Sequence, residues 1–137
     1  MGITYHPSLG EALWCEYAGL EPEMIKRRLV VVIVPKTSQR HKLTTVVPIS
    51  TTPPEVIKPW HVRLNRDPYP EGKATELWVK CDMINVVCFQ RLGGYYMRWN
   101  GRRKFTKMSV PGEDIRRIRV GVLAALGLNI NHSSDTD

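Results

Sequence analysis

The stretch RLVVVIV at residues 28–34 constrains this chain more than any other. After Arg28 come six consecutive apolar residues, five of them β-branched, with no polar position among them. A strand of that kind has both faces covered, so it belongs at the centre of a sheet and the rest of the chain must supply the cover. Other strand-like runs flank it: GEALWCEY at residues 10–17, LTTVVPIS at 43–50, a short run at 61–64, and a long fifth run, LWVKCDMINVVCF, at 77–89. Pro35 and the pair Pro53 and Pro54 close two of these runs. Within LWVKCDM polar and apolar residues alternate, which predicts one exposed face and places Lys80 and Asp82, two residues apart, on the same side.

Residues 95–108, YYMRWNGRRKFTKM, read as a hairpin turning at Asn100 and Gly101, the dipeptide best suited to a type I′ turn. Pairing outward from that turn sets Trp99 against Arg102, Arg98 against Arg103, Met97 against Lys104 and Tyr96 against Phe105. From Pro111 to Leu126 the residues Ile115, Ile118, Val122, Ala125 and Leu126 recur at helical spacing. Pro111 suits the first turn, Glu113 and Asp114 complement the positive end of the dipole, and Gly127 suits a C-terminal cap. Many short strands followed by one amphipathic helix predict a mainly β fold with α: a small curled sheet or barrel with a helix packed on it. At 137 residues this is one domain, 1–137, with the sheet at about 9–110, the helix at about 111–127 and a polar tail at 129–137 that should fray.

Composition narrows the function classes. No apolar run approaches the roughly 20 residues of a membrane span, and the first residues lack the order of a signal peptide, so a cytoplasmic protein is expected. Cys15, Cys81 and Cys88 are odd in number and without CxxC spacing, which favours buried free thiols over disulfides or zinc. The net charge of +7 is concentrated in residues 90–119, where nine Lys and Arg face only Glu113 and Asp114. Such a local surplus attracts a polyanion, nucleic acid or an acidic protein. Walker, GxSxG, HExxH and GxGxxG motifs are absent. Four histidines are scattered without metal-ligand spacing, so neither metal nor cofactor is expected; His61, bordering a strand after the loop at 51–60, is the best placed to meet a substrate. Arg28, beside Lys26 and Arg27, and the hydroxyls of Ser50, Thr51 and Thr52 are phosphate-binding chemistry, the guanidinium acting by charge rather than by giving up a proton.

The succession GEALWCEY, KRRLVVVIV, LTTVVPIST and WVKCDMINVVCFQRL resembles the PemK/MazF family of toxin endoribonucleases of bacterial toxin–antitoxin pairs. The likeness covers about residues 9–92 and continues through the helix. It implies an SH3-like barrel with a terminal helix, a homodimer, and metal-free cleavage of single-stranded RNA, neutralised by a cognate antitoxin. By position, Arg28, Ser50 and Asp82 match the family's arginine, hydroxyl and acidic residue, and Lys80 stands where some members have arginine. Leu29, Met83 and Asn85 depart from the common residues, and Gly10 and Trp14 are one residue further apart than usual. The expected site thus has Arg28, Asp82, Lys80 and Ser50 as catalytic residues. Thr51, Thr52, Arg27, His61, Arg98, Trp99, Arg102 and Arg103 would hold the substrate. Two other readings fit the same fold, a non-catalytic inhibitor of DNA gyrase and a family member that binds nucleic acid without cutting it.

Overall fold

The structure is a computed structural model describing residues 2–69 and 76–128; the expected polar tail lies outside the described residues. Ten strands and one helix follow in chain order: β1 Glu11–Glu16, β2 Arg27–Val32, β3 Leu43–Ser50, β4 His61–Arg63, β5 Trp78–Lys80, β6 Asn85–Cys88, β7 Leu92–Gly93, β8 Tyr95–Trp99, β9 Arg102–Thr106, β10 Met108–Ser109 and α1 Gly112–Ala125. The main sheet is antiparallel, running β10-β1-β2-β3-β5-β4, with β6 also paired to β3 and β7 to β1. This path does not close on itself. β8 and β9 form a separate two-stranded ribbon.

β2 lies between β1 and β3, as its apolar run requires. Its side chains alternate between two cores. Leu29, Val31 and Ile33 pack on one face with Val47, Ile49, Val62, Val79, Ile115 and Ile118. Val30 and Val32 pack on the other with Leu13, Cys15, Val46, Val87, Phe89 and Leu92. A fully buried valine stabilises by roughly 1.5–3 kcal/mol, so the absence of polar alternation in this strand reflects two layers of packing.

The long fifth run does not form one strand. Ile49 pairs with Val79 and Val46 with Asn85, so three steps along β3 correspond to six on the partner. The three extra residues bulge out between β5 and β6, and Asp82 is an exposed turn residue. The expected alternation fails at Trp78 too, which is buried with its Nε1 donating to Glu76 at 2.8 Å.

α1 covers the Leu29 face. Asp114, at its first turn and fully buried, accepts hydrogen bonds from the Asn65 amide (3.2 Å), Asn65 Nδ2 (3.0 Å) and Arg117 (2.9 Å). Gly121 sits so close to the sheet that a Cβ there would meet Cys81 Sγ at 3.0 Å and Val62 Cγ2 at 3.2 Å. The helix closes through Gly127 at φ +81, with the Leu128 amide donating to Leu123 O and the Gly127 amide to Ala124 O, a Schellman cap. All three cysteines are free, Cys15 and Cys81 buried and Cys88 half-buried. Burial pushes the Cys15 thiol up to about 11 and the Cys81 thiol up to about 12. Among the described residues no helix is long and apolar enough to cross a membrane.

Candidate functional site

The register of the main sheet assembles one row of side chains on the face turned away from α1. Arg28 stands across from Cys15. The β2–β3 ladder ends at Leu29 and Ile49, so the next step puts Arg28 level with Ser50. Ser50 is paired in turn with Trp78, and Trp78 with Arg63. One step along, Lys80 is paired with His61, and both point to the same side as Trp78 and Arg63, two residues away on their strands. Arg28, Ser50, Lys80 and His61 therefore share one face of β2, β3, β5 and β4.

Arg28 is half-buried, and its Nε is buried without a hydrogen-bond partner. No acidic side chain pairs with it among the described residues. Next to it is Tyr17, whose hydroxyl is likewise buried with no partner of ordinary geometry. Burial drives the Tyr17 phenol well above its usual range, the Cys15 thiol adds to this, and the Arg28 charge opposes it. Tyr17 is thus a neutral phenol beside an unpaired cation. It also lines a cavity of about 500 Å³ with Met24, Met83, Ile84, Asn85 and Arg91. A half-buried, unpaired guanidinium is equipped to receive an anion, because its donors are preset for a phosphate or carboxylate.

The Ser50 hydroxyl accepts from the Thr52 amide at 3.0 Å and reaches the Thr52 carbonyl at only 3.4 Å, so its proton is weakly committed. Thr51 and Thr52 are exposed in the bend beyond β3. The Lys58 amide donates to His61 Nδ1 at 2.9 Å, which sets the proton of the neutral ring on Nε2. His61 therefore presents a hydrogen-bond donor to whatever lies on this face.

Two expectations need correction. Asp82 does not share a strand with Lys80: β5 ends at Lys80 and the bulge carries Asp82 out of the sheet, so the same-side inference fails. Arg27 points to the opposite face from Arg28, where it pairs with Glu16 at 3.1 Å and lies 4.5 Å over the Trp14 ring. Arg98, Trp99, Arg102 and Arg103 lie, as expected, on the hairpin that turns at Asn100 and Gly101, which forms the separate β8–β9 ribbon. Conversely, Tyr17 and Arg63 were not singled out in the sequence. The alternation was the available signal, since each lies two residues from a residue of the row, Cys15 and His61. Among the described residues no cluster of His, Cys, Asp or Glu could hold a metal ion.

Residues 9–108 match the family model of the PemK-like, MazF-like toxin of type II toxin–antitoxin systems. Among solved structures, the fold is similar to MazF from Deinococcus radiodurans, with a TM-score of 0.62 at 18% identity over 91% of this chain and 100% of that one. It is also similar to an endoribonuclease from a mycobacterial species, with a TM-score of 0.61 at 18% identity over 90% and 94% of the two chains. An endoribonuclease in complex with its cognate antitoxin, again mycobacterial, gives a TM-score of 0.61 at 19% identity over 89% and 96%. Comparison with curated protein sequences gives no match. Because the family match runs through most of the chain, from before β1 to the start of β10, this protein belongs to the PemK-like, MazF-like toxins of type II toxin–antitoxin systems.

Proposed function

We propose that the protein is the toxin of such a pair and acts as a sequence-preferring endoribonuclease on single-stranded RNA without a metal ion. The observation that carries this reading is Arg28: a half-buried, unpaired guanidinium in line with the Ser50 hydroxyl, on the face that also carries Lys80 and His61. A phosphodiester is the ligand that satisfies such a set, since it accepts from all four groups and neutralises the cations.

In metal-free cleavage the ribose 2′-hydroxyl loses its proton, its oxygen attacks the adjacent phosphorus, and the bond to the 5′-oxygen breaks as that oxygen is protonated. Negative charge grows on the non-bridging oxygens. Arg28 stabilises that charge, Ser50 and Thr51 position the phosphate, and the His61 Nε2–H adds a neutral donor. Asp82, presented from the turn after β5, takes the 2′-proton or orients the hydroxyl. The Lys80 ammonium serves the leaving oxygen, as proton donor or as a second positive charge. The products are a 2′,3′-cyclic phosphate and a 5′-hydroxyl. The resemblance that implies this chemistry also implies a homodimer and a cognate antitoxin, and a flexible acidic segment is the kind of partner that suits the unpaired cations.

The test is a defined unstructured RNA incubated with the protein in EDTA, followed by gel and end-group analysis. Discrete fragments ending in cyclic phosphate are expected. RNA left whole at every protein concentration overturns the reading, and blocked DNA supercoiling in the same preparation would point to the gyrase inhibitor instead.

A further inference from the structure

The site just described does not use the β8–β9 ribbon. Its turn is the expected one, with Asn100 at φ 50 and Gly101 at φ 77, and its pairs are Trp99 with Arg102, Arg98 with Arg103, Met97 with Lys104 and Tyr96 with Phe105. The root is fixed: Tyr95 packs on Tyr69 at 5.8 Å and Tyr69 on Trp14 at 5.9 Å. Beyond it the ribbon is solvent-exposed, with Trp99 at 69% and Phe105 at 61%.

Residues 94–108 contain no acidic residue. Arg98, Arg102, Arg103 and Lys104 have no acidic partner among the described residues, and Arg98 faces Arg103 directly across the strands. Like charges so placed destabilise a ribbon. Arg103 partly escapes by lying 4.7 Å over the Tyr96 ring, which itself packs on Phe105 at 5.5 Å. Protection of an edge by charge accounts for the arginines but not for an exposed Trp and Phe on the same ribbon. The pairing puts Trp99, Arg102 and Lys104 on one face of the ribbon and Tyr96, Phe105, Arg98 and Arg103 on the other, so an unpaired nucleic-acid strand wrapping the ribbon meets rings for its bases and cations for its phosphates on both.

The ribbon also starts beside the site. Cys15 has Arg28 across from it on one side and Leu92 on the other, and Leu92 leads into the ribbon three residues later. Two strand spacings, about 10 Å, separate Arg28 from β7.

We propose that the β8–β9 ribbon is a docking arm for the single-stranded RNA that flanks the cleaved bond, with Trp99 and Phe105 stacking bases and Arg98, Arg102 and Arg103 holding phosphates. The inference rests on the endoribonuclease reading for the identity of its ligand. It is tested with fluorescently labelled 2′-O-methyl RNA, which lacks the attacking hydroxyl and so measures binding alone, titrated into the full chain across a range of salt. Replacing Arg98, Arg102 and Arg103 together by Ala should lower the slope of log affinity against log salt by about 2, the value for three phosphate contacts on a single strand. Trp99→Ala should weaken binding about ten-fold or more, and Trp99→Phe should restore most of it. Unchanged slope and affinity in these variants overturn the arm, as does equal loss on a duplex of the same length. Loss of polyglutamate binding in these variants with RNA binding unchanged overturns it in favour of an acidic protein. If the native chain cuts RNA and the variants bind and cut as well as it does, the arm fails while the nuclease stands. If it cuts none yet binds through the ribbon, the nuclease fails while the arm stands.

Discussion

Replacing Arg28 by Met separates a functional arginine from a structural one. Met keeps the unbranched apolar stem against the Val30 side of the sheet and removes the guanidinium, including the buried Nε that has no partner. An unsatisfied buried donor costs about 1–3 kcal/mol. Because Arg28 is only half-buried, its outer nitrogens reach water and the lower end applies. The variant is therefore expected to be more stable than the native chain by about 1 kcal/mol, which for a domain of this length raises Tm by about 3–5 °C. Its effect on cleavage runs the other way. Losing one preorganised donor to a developing oxyanion costs about 10²–10³ in kcat. Urea and thermal unfolding followed by circular dichroism, beside single-turnover cleavage of a defined RNA, give both numbers from one preparation. A loss of several kcal/mol in stability would show that Arg28 holds the fold together. Retained cleavage would show that the phosphate is held elsewhere, and either result refutes the reasoning.

Three further outcomes follow from the packing. Gly121→Ala gains helix propensity of up to about 1 kcal/mol but drives a Cβ to 3.0 Å from Cys81 Sγ, so it should be destabilising overall, and Gly121→Val more so by about 2 kcal/mol; a stabilised Ala variant in urea denaturation contradicts the close contact of α1 with the sheet. Asp114→Ala strips three donors of a fully buried acceptor and should cost about 3 kcal/mol, tempered because Arg117 and Asn65 reach solvent, and an unfolding midpoint within error of the native chain contradicts it. For the thiols the folded chain holds its protons to higher pH than the unfolded chain does. Stability from Cys15 and Cys81 should accordingly be complete below about pH 9 and fall as pH rises toward 11 and 12, an alkaline slope that becomes shallower in the double Ala variant while the part due to the raised phenols of Tyr5, Tyr17 and Tyr69 remains.

Where periodicity had a single physical cause, the sequence was readable residue by residue. The apolar run of β2 has no solution other than a doubly covered strand, and an Asn-Gly turn admits one register, so β2 and the Arg98–Arg103 pairing appear as expected. The helix likewise begins and ends within a residue or two of its caps. Residues 77–89 were misread because alternation is a local rule while a bulge is settled by the partner strand: β3 changes partner along its length, and nothing in LWVKCDMINVVCF announces three surplus residues. The same limit applies to Arg27 and Arg28. Both are cations next to a buried strand, and only their neighbours on β1, Glu16 for one and Cys15 for the other, decide which is neutralised and which is left free.

That last contrast explains how one sheet carries a matched face and an incompletely bonded one. On the side of Leu29 the strands meet α1, and polar groups there are matched: Asp114 has three donors, and Arg27 has Glu16 and Trp14. On the side of Arg28 the core of Val30, Val32 and Leu13 gives out at the ends of β1, β2 and β3, and Tyr17, Arg28 and Ser50 follow with hydroxyls and a guanidinium left incompletely bonded. Burying such groups without partners costs free energy that the valine layers one step inward offset. The bulge then frees Asp82 from the ladder that fixes Lys80, so the cations stand on rigid strands while the carboxylate stands on a turn. Cations held on strands and a carboxylate held apart on a turn are the division that the proposed endoribonuclease reading calls for, charge preorganised for a phosphate with the acidic group kept out of that cluster.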